Sequence, residues 1–483
     1  INAYVMPVIR SYLENLRNNL DAAGITAPLM LMQSSGGLMS DRAAVERPCH
    51  IIESGPAGGV VGAQALSNLD NIVTFDMGGT TAKAALIEGG AVTRSQQYSV
   101  GAGIMIGSRL MTGSGYLLKT PAIDLAEVGA GGGSLVWIDA GGSLQVGPES
   151  AGADPGPLVY DQGGTEPTVT DANVLLGYLN PNHLVGGELP LNPAKAEAAF
   201  AERIAKPLGL GVAEAAYGAH LIAAANMIRA IKAVSSERGR DPRAFSLFAF
   251  GGNGPVFAAG MAESLGMDRV VIPPSPGLFS SFGLLQADIE QYHSRTLNRL
   301  LREVDPQDLT GAWNAVADEA RAELRREGFA DERISIIRVA DLHYKGQIYD
   351  LSVPAPEGDF DAAKMAMLEE AFGEEHLRTY GHRAGPEEPV ELVNLRVIAK
   401  AESDSGATPV TWVPQASGPT TTRQAYFGKA GWCDTPILGR GDLETETAGP
   451  AIIEEYDATC VIPPAWSGRL DAEGSIILTT RSR

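Results

Sequence analysis

The sequence contains few cysteines, and their spacing argues against a disulfide framework. Cys49, Cys433 and Cys460 are the three cysteines in 483 residues, and they lie far apart without a C-x-x-C pair. Small disulfide-stabilised proteins have more cysteines at closer spacing. Unpaired thiols fit a reducing compartment, and together with the lack of a signal peptide they predict a cytoplasmic location.

Positive charge and long apolar runs are also scarce. Lys and Arg number 37 against 58 Asp and Glu, which gives a formal net charge of −21. A nucleic-acid backbone requires clustered Lys and Arg, so nucleic acid is not expected as a partner. The sequence has no uninterrupted apolar run of about 18 residues, so no membrane-spanning segment is expected.

Several catalytic signatures are missing as well. There is no G-x-S-x-G elbow, no H-E-x-x-H pair and no cysteine–histidine signature. These absences disfavour a serine or cysteine hydrolase and a zinc protease. What remains is 44% apolar and 20% charged, the composition of a folded globular protein. Its length predicts about three domains.

The most informative segment is Asp76-Met77-Gly78-Gly79-Thr80-Thr81, which lies between predicted strands at 71–76 and 82–87. Glycines let backbone N–H groups approach phosphate oxygens, threonine hydroxyls add donors, and the leading aspartate can hold Mg²⁺ through water. Because a strand and not a helix follows, the segment is not a Walker-type loop. A phosphate loop between two strands resembles that of the actin-like ATPase superfamily. The alternative is an ordinary Gly-Gly hairpin turn.

A second glycine segment, Gly251-Gly252-Asn253, follows a predicted strand at 246–250 and precedes a predicted helix that reaches Leu265. Glycines at a strand end, with a helix N-terminus behind them, suit the ribose or α-phosphate of a nucleotide. Gly-Gly pairs are also common at such places in α/β proteins for structural reasons alone. The two segments follow one another in the order that the actin-like fold requires.

Periodic patterns predict the elements around these segments. The predicted elements are an amphipathic helix at 3–24, a small-residue helix from Ser54 to Leu66, a buried helix at 213–235, a charged helix at 313–328, and strands near 334–343 and 347–353. A Pro-, Thr- and Ser-rich stretch at 408–422 predicts a linker.

Many longer motifs resemble the hydantoinase A/oxoprolinase family, and together they span nearly the whole chain, weakening after about Lys400. They are Asn2-Ala3-Tyr4-Val5, Gln33-Ser34-Ser35-Gly36-Gly37, Ser54-Gly55-Pro56-Ala57-Gly58, Phe75-Asp76-Met77-Gly78-Gly79-Thr80, Val128-Gly129-Ala130-Gly131-Gly132-Gly133-Ser134, the run from Gly147 to Pro157, Thr168-Val169-Thr170-Asp171-Ala172-Asn173, Arg238-Gly239-Arg240-Asp241-Pro242-Arg243 and Phe250-Gly251-Gly252.

The resemblance implies an enzyme that uses ATP to activate an amide or ketone oxygen. The family contains hydantoin and 5-oxoproline hydrolases, lactamases, and acetone and acetophenone carboxylases. Its members usually begin with a further segment that carries a first Asp-x-Gly-Gly-Thr loop, and no residues here correspond to it, so we expect an N-terminal portion to be missing. Many relatives also have Ser-Thr-Asp after Gly-Gly-Thr, where this chain has Thr81-Ala82-Lys83.

The predicted fold is α/β. An actin-like ATPase core, of the type found in sugar kinases and heat-shock chaperones, is expected over residues 1–290. An α/β module at 291–405 and a β-rich C-terminal domain at 406–483 should follow.

The resemblance predicts ATP-dependent hydrolysis of a cyclic amide (a hydantoin, 5-oxoproline or a lactam) in a hetero-oligomer with a hydantoinase B-type subunit. The alternatives are a subunit of an ATP-dependent ketone carboxylase and a non-catalytic assembly subunit. ATP and Mg²⁺ are the expected cofactors. The predicted site residues are Asp76 for catalysis and for Mg²⁺, Lys83 for catalysis, Gly78, Gly79, Thr80 and Thr81 for the phosphates, and Gly251, Gly252 and Asn253 for the nucleoside.

Other candidates carry weaker signals. Lys83 can neutralise phosphate or lie on the solvent face of the hairpin. The acids Glu149, Asp154 and Asp171 can serve Mg²⁺ or substrate, although turn and helix-cap roles are commoner for such residues. A packed or solvated strand position is the commoner role for His343.

Overall fold

The structure is a computed structural model that describes residues 1–95, 98–100, 115–118, 120–401 and 421–481. The linker predicted at 408–422 therefore lies almost wholly outside the described residues. The α-helices of the described part are α1 (Asn2–Ala22), α2 (Asp41–Glu46), α3 (Ser54–Leu66), α4 (Val169–Leu175), α5 (Pro193–Phe200), α6 (Lys206–Leu208), α7 (Val212–Val234), α8 (Gly254–Leu265), α9 (Phe279–Gln286), α10 (Pro306–Arg326) and α11 (Ala362–Tyr380).

The strands of the first half are mostly short. They are β1 (Met30–Met32), β2 (Leu38–Ser40), β3 (Ile72–Met77), β4 (Ala82–Glu88), β5 (Ala91–Val92), β6 (Arg94–Ser95), β7 (Tyr98–Val100), β8 (Tyr116–Leu118), β9 (Ala122–Ile123), β10 (Leu125–Val128), β11 (Ser134–Ile138), β12 (Leu144–Ser150), β13 (His183–Leu184) and β14 (Leu189–Pro190). The longest are β3, β4 and β12.

The strands of the second half include three long ones. They are β15 (Ser246–Phe250), β16 (Arg269–Ile272), β17 (Ile289–Leu300), β18 (Ile334–Tyr344), β19 (Leu351–Pro354), β20 (Val390–Ala401), β21 (Thr421–Tyr426), β22 (Trp432–Leu438), β23 (Thr447–Ala448), β24 (Ala451–Glu454), β25 (Thr459–Ile462), β26 (Trp466–Leu470) and β27 (Ile476–Thr480). With helices and sheets mixed in this way, the predicted α/β class is confirmed.

A nine-stranded mixed sheet forms the centre of the fold. Its order is β10-β4-β3-β15-β16-β27-β26-β23, with β5 beside β4. The middle strands β3, β15 and β16 are parallel, and β4 returns antiparallel to β3. Both β3 and β15 are buried on their two faces, and strands buried in this way have near-continuous apolar sequences.

The two faces of the central sheet carry different helices, and alternation along the strands assigns each side chain to a face. Val73 and Phe75 pack with α7 and α8, on what we call the α7 face. Ile72 and Phe250 pack with α3 and α9, on the α3 face. Helix α3 lies very close to the sheet, because a Cβ at Gly59 would be 2.3 Å from the Phe250 ring. Small residues in the first turns of α3 are therefore a packing requirement.

A second sheet, β1-β2-β17-β20-β18-β19, packs against α10 and α11. The predicted start of the charged helix at residue 313 is wrong, because α10 begins at Pro306. The Asp305 side chain caps this helix by accepting from the Gln307 N–H, and proline suits the first helical position. These two local signals set the start of the helix, although the first turns are largely polar.

The C-terminal stretch contributes to two sheets. Strands β21, β22, β24 and β25 form a four-stranded sheet, whereas β26 and β27 extend the central sheet, with β27 antiparallel to β16. The domain boundaries at 290 and 405 stay a prediction. In the described part of the chain, no single helix is long and apolar enough to cross a membrane; the bent pair Pro193–Leu208 and Val212–Arg238 meets that criterion by length and composition only.

Candidate functional site

The predicted phosphate loop is a turn between two antiparallel strands. Strand β3 ends at Met77, the turn runs from Gly78 to Thr81, and β4 begins at Ala82. The Gly78 N–H donates to the Thr81 carbonyl across the turn (3.2 Å), whereas the N–H groups of Gly79 and Thr80 donate to no described residue. A Cβ added at Gly78 or Gly79 would meet nothing within 4 Å. The Cβ sides of Gly78 and Gly79 therefore face open space, and two N–H groups of the turn have no acceptor among the described residues, so they are candidate donors to a phosphate oxygen.

The second predicted segment lies directly against this turn. The Asn253 N–H donates to the Met77 carbonyl at 3.0 Å, and its side-chain amide donates to the Gly78 carbonyl at 3.2 Å. Gly251 has a φ of +80°, and a Cβ there would lie 2.4 Å from the Met77 carbonyl oxygen. Only glycine satisfies both constraints. Two segments that are 175 residues apart thus meet at the carboxyl ends of β3 and β15.

A third glycine segment, which is not among the sequence-predicted site residues, completes the support of the turn. The Gly132 N–H donates to the Gly78 carbonyl (3.2 Å) and the Gly133 N–H to the Gly79 carbonyl (2.7 Å). A Cβ at Gly131 would lie 2.5 Å from both the Gly79 oxygen and the Thr80 nitrogen. Three consecutive glycines are a signal of close backbone approach, but the sequence does not say which backbone they approach.

Asp76 lies on the α3 face near the end of β3, since it is four positions along the strand from Ile72 and so points to the same face. No described residue forms a hydrogen bond or an ion pair with its carboxylate. Burial raises the pKa of the Asp76 carboxyl, and the nearby Lys83 ammonium opposes that rise. A free, half-buried carboxylate at a phosphate loop fits Mg²⁺, which is usually held by one or two carboxylates together with phosphate oxygens and water.

Lys83 of β4 lies directly opposite Asp76 of β3 in the sheet, and its ammonium forms its contacts on the side away from Asp76. Its Nζ lies 2.5 Å from the Thr81 hydroxyl and 3.1 Å from the Glu127 carboxylate. Glu53, which precedes α3, belongs to the same neighbourhood: burial first and then the Glu127 charge raise its pKa, while Lys83 lowers it. No group of three or more His, Cys, Asp or Glu side chains in the described ranges is arranged to hold a metal ion by itself.

A cavity of about 770 Å³ opens beside the meeting point of the glycine segments. Gly252, Asn253 and Thr170 line the cavity, and the C-terminal residues Tyr456 and Asp457 form another part of its wall. Its size is within the range of cavities that hold a drug-sized organic ligand. The C-terminal wall has no counterpart among the sequence-predicted site residues, because contacts at such separation leave no local pattern.

The weaker candidates lie elsewhere or serve the fold. Asp171 caps α4 in a capping box with Thr168, and its carboxylate also accepts from the Leu158 and Val159 N–H groups. Glu149 and Asp154 are exposed. The remaining candidate, His343, is held between the carboxylates of Asp350 (2.8 Å) and Glu391 (3.0 Å) in the second sheet.

Sequence profiles of one family match most of the chain. The hydantoinase/oxoprolinase profile matches residues 1–293, and the profile of the hydantoinase/oxoprolinase C-terminal domain matches residues 301–479.

Individual relatives are similar over almost the whole chain. An uncharacterized protein of Methanocaldococcus jannaschii is 40% identical over 99% of this chain and 69% of its own length. The alpha subunit of caprolactamase from Pseudomonas jessenii is 35% identical over 99% of this chain and 68% of its own. The gamma subunit of acetophenone carboxylase from Aromatoleum aromaticum is 31% identical over 99% of this chain and 66% of its own. The chain thus spans about two thirds of each relative.

A solved structure has the same fold. The crystal structure of ATP-dependent caprolactamase from Pseudomonas jessenii superposes with a TM-score of 0.87 at 34% identity, and the match covers 100% of this chain and 69% of that one.

Proposed function

The chain belongs to the hydantoinase/oxoprolinase family, and on that premise we propose that it is the ATP-binding subunit of a cyclic-amide hydrolase. The family includes proteins named as caprolactamase and 5-oxoprolinase and proteins named as ketone carboxylases. The proposed substrate is a hydantoin, 5-oxoproline or a lactam. ATP phosphorylates the oxygen of its ring amide, and a hydantoinase B-type subunit completes hydrolysis.

The chemistry explains why ATP is needed. A neutral amide is a poor electrophile because its nitrogen donates electron density to the carbonyl carbon. Transfer of the γ-phosphoryl group to the amide oxygen releases ADP and, with loss of the N–H proton, gives an O-phosphorylated imidate, which water attacks far more easily. The ring C–N bond then breaks as the nitrogen takes up a proton, and hydrolysis of the acyl phosphate that forms releases phosphate. Such a transfer depends on positioning and on neutralisation of charge, and it requires no protein nucleophile.

The observation that carries the proposal is the junction of the glycine segments around the turn at 78–81. The free N–H groups of Gly79 and Thr80 would bind phosphate oxygens, and the cavity beside Gly252 and Asn253 would hold the nucleoside. Asp76 would hold Mg²⁺, which when bound offsets charge on the phosphate oxygens. Lys83 would neutralise the charge that develops on the transferred phosphoryl group.

Two other functions differ from this one at defined points. A ketone carboxylase would phosphorylate an enol oxygen and combine the product with bicarbonate or CO₂, and the similarity to the acetophenone carboxylase gamma subunit favours it as the second candidate. A non-catalytic assembly subunit would keep the fold without needing the Asp76 carboxylate.

The test uses the complex of this chain with its B-type subunit. We expect ATP and Mg²⁺ to raise the melting temperature, and a lactam to stimulate phosphate release together with ring opening. The Asp76→Asn variant should lose at least about a hundredfold in ring-opening rate, at the upper end of what groups around a metal usually contribute. Asp318→Asn, which changes an exposed carboxylate on α10, should behave as wild type.

The outcomes separate the three functions. Phosphate release that depends on acetophenone and bicarbonate but not on a lactam would identify the carboxylase. Full activity of Asp76→Asn in the complex would identify the assembly subunit and refute an ATPase role for this loop.

A further inference from the structure

Three charged residues form a row across neighbouring strands at the edge of the proposed nucleotide site. The register of the sheet places Lys83 of β4 directly opposite Asp76 of β3 on one side and Glu127 of β10 on the other. Each of the three lies two or four positions along its strand from a buried residue of the α3 face, and residues at even spacing in a strand share a face. These buried residues are Ile72, Ala85, Ile87 and Leu125. Their side chains therefore emerge on the same face, in the order Asp76, Lys83, Glu127.

Among the described residues, the contacts of the ammonium in the middle of this row lie on the side away from Asp76. Lys83 contacts the Glu127 carboxylate at 3.1 Å and the Thr81 hydroxyl at 2.5 Å, and the side chains of Lys83 and Glu127 are 18% and 19% exposed. Asp76 is equally close in the ladder but has no ion pair among the described residues. Residues directly opposite in an antiparallel pair have Cβ atoms about 5 Å apart, so Lys83 can reach Asp76 by a change of rotamer.

The choice of partner matters because Lys83 and a metal ion compete for the same carboxylate. An ammonium paired with Asp76 would occupy the oxygens that Mg²⁺ needs and would offset the negative charge that attracts the ion. Glu127 holds the ammonium on the far side, against Thr81 of the turn. Glu53 adds a further carboxylate on the same face. With Asp76 and Glu127 it makes three carboxylates for the one ammonium of Lys83, so the net charge of the four ionised groups is negative.

We propose that Glu127 is a positioning residue that holds the Lys83 ammonium against the phosphate turn and away from Asp76, so that the Asp76 carboxylate stays free for the Mg²⁺ of bound nucleotide. The proposal rests on the proposed function. It assigns Glu127 no contact with substrate or nucleotide.

The experiment measures metal binding and not activity. In the complex, with saturating ADP, the ADP-dependent rise in melting temperature is followed as a function of Mg²⁺ concentration, and Mn²⁺ binding is followed by electron paramagnetic resonance. Glu127→Ala should raise the metal concentration for half-maximal effect about tenfold, as loss of a residue that supports a metal ligand typically does. Adding Lys83→Met to Glu127→Ala should return the value to near wild type, because no ammonium is left to occupy Asp76.

Two further variants guard against a purely structural effect. Glu127→Gln keeps the shape and the hydrogen-bonding ability of the side chain, and it should still raise the metal concentration if the charge of Glu127 holds Lys83. Glu369→Ala breaks an ion pair with Arg302 in the second module and should leave metal binding unchanged.

Each result has one meaning. Unchanged metal dependence in both Glu127 variants, or a double variant no better than Glu127→Ala, would overturn this inference and leave the proposed function intact. Absence of any effect of ADP and Mg²⁺ on the wild-type complex would instead refute the proposed function.

Discussion

Two aspartates of the core show how surroundings decide what a carboxylate can do. The Asp171 carboxylate accepts from the N–H groups of Leu158, Val159 and Thr168 and from the Thr168 hydroxyl. A carboxylate bound by four donors stabilises a helix start and offers little to a ligand. Asp76 is half-buried and has no such donors among the described residues, so the cost of its desolvation is recovered when a cation or a proton binds.

His220 is a buried histidine that contributes to the pH dependence of stability. Its ring stacks on Phe257 with centroids 4.3 Å apart, and its Nδ1 contacts the Asn173 side-chain oxygen at 2.9 Å. Burial lowers the pKa of His220 to about 3. In the unfolded chain the pKa returns to about 6.5, so below that pH the unfolded state binds a proton that the folded state does not. The stabilisation is complete above pH 6.5 and is lost as pH falls toward 3.

The His220→Gln variant should therefore lose less stability on acidification than the wild type. At pH 7 the variant should be less stable, because ring stacking is lost. Between pH 6 and pH 4 the gap should narrow by up to about 1.4 kcal/mol per pH unit. Urea denaturation midpoints at pH 7, 6, 5 and 4 measure this. His382→Gln, at an exposed position, should track the wild type, and parallel curves for His220→Gln and wild type would contradict the assignment.

At the scale of elements, the phosphate turn depends on the glycine segment at 131–133, whose backbone packs directly against the backbone of the turn. Gly131→Ala would place a methyl group 2.5 Å from the Gly79 oxygen and the Thr80 nitrogen, and both are backbone atoms. The turn must move to make room for this methyl group. Binding groups must be held within about 0.5 Å of their productive positions, so we expect ADP affinity to fall at least about tenfold. Isothermal titration with ADP and Mg²⁺ measures the affinity.

Gly260→Ala is the matched control for this prediction. Gly260 lies on the exposed side of α8, and a Cβ there meets nothing within 4 Å. Alanine in a helix is favoured over glycine by roughly 0.5–1 kcal/mol, so this variant should bind ADP normally and melt slightly higher. Equal ADP affinity in Gly131→Ala and wild type would show that the turn does not depend on this support.

The elements around the site could be predicted where local chemistry specifies them. Helix α3 has the predicted bounds of Ser54 and Leu66, and β3 and β4 flank the turn as the pattern of glycines and apolar residues indicates. Strands β17 and β20 receive no assignment from the sequence. The face of these strands away from α10 and α11 carries the charged residues Glu290, Arg396 and Lys400. Glu290 and Arg396 are buried in ion pairs across strands, whereas in a sequence alone such charges are typical of a solvated segment.

The site itself was predictable only in part, for a related reason. The residues of the turn and of the second glycine segment have a recognisable local pattern. The contact of Gly131 with the turn, the pairing of Lys83 with Glu127 and the C-terminal wall of the cavity arise from sheet register and from chain return over long separations. Such contacts have no local signature, so a single sequence does not reveal them.

At the scale of the whole molecule, the C-terminal stretch is joined to the core by a buried arginine. The Arg440 guanidinium forms a bidentate ion pair with the Glu455 carboxylate, with both N···O distances at 2.7 Å. Its remaining N–H groups donate to the carbonyls of Ile272, Pro273 and Gly474. One side chain therefore ties the end of β16 to the turn before β27 and to the residue after β24. Arg440 and Glu455 also line the cavity, so this junction joins the fold to the proposed nucleoside site.

Removing this arginine should cost far more than removing an exposed one. Arg440→Met leaves the Glu455 carboxylate, only 14% exposed, without its partner, and breaking a buried pair in this way typically costs about 3–5 kcal/mol. Arg302→Met breaks an ion pair with Glu369 in which the side chains are 48% and 34% exposed, and it should cost less than about 1 kcal/mol. The double variant Arg440→Met with Glu455→Gln should recover part of the loss, because no unpaired charge remains. Urea denaturation midpoints at pH 7 rank the three variants. If Arg440→Met is as stable as Arg302→Met, then other contacts suffice to hold the C-terminal stretch to the core, among them the pairing of β16 with β27 and the hydrogen bonds of Arg423 to Gly177 and Tyr178, and nucleotide binding should survive the substitution too.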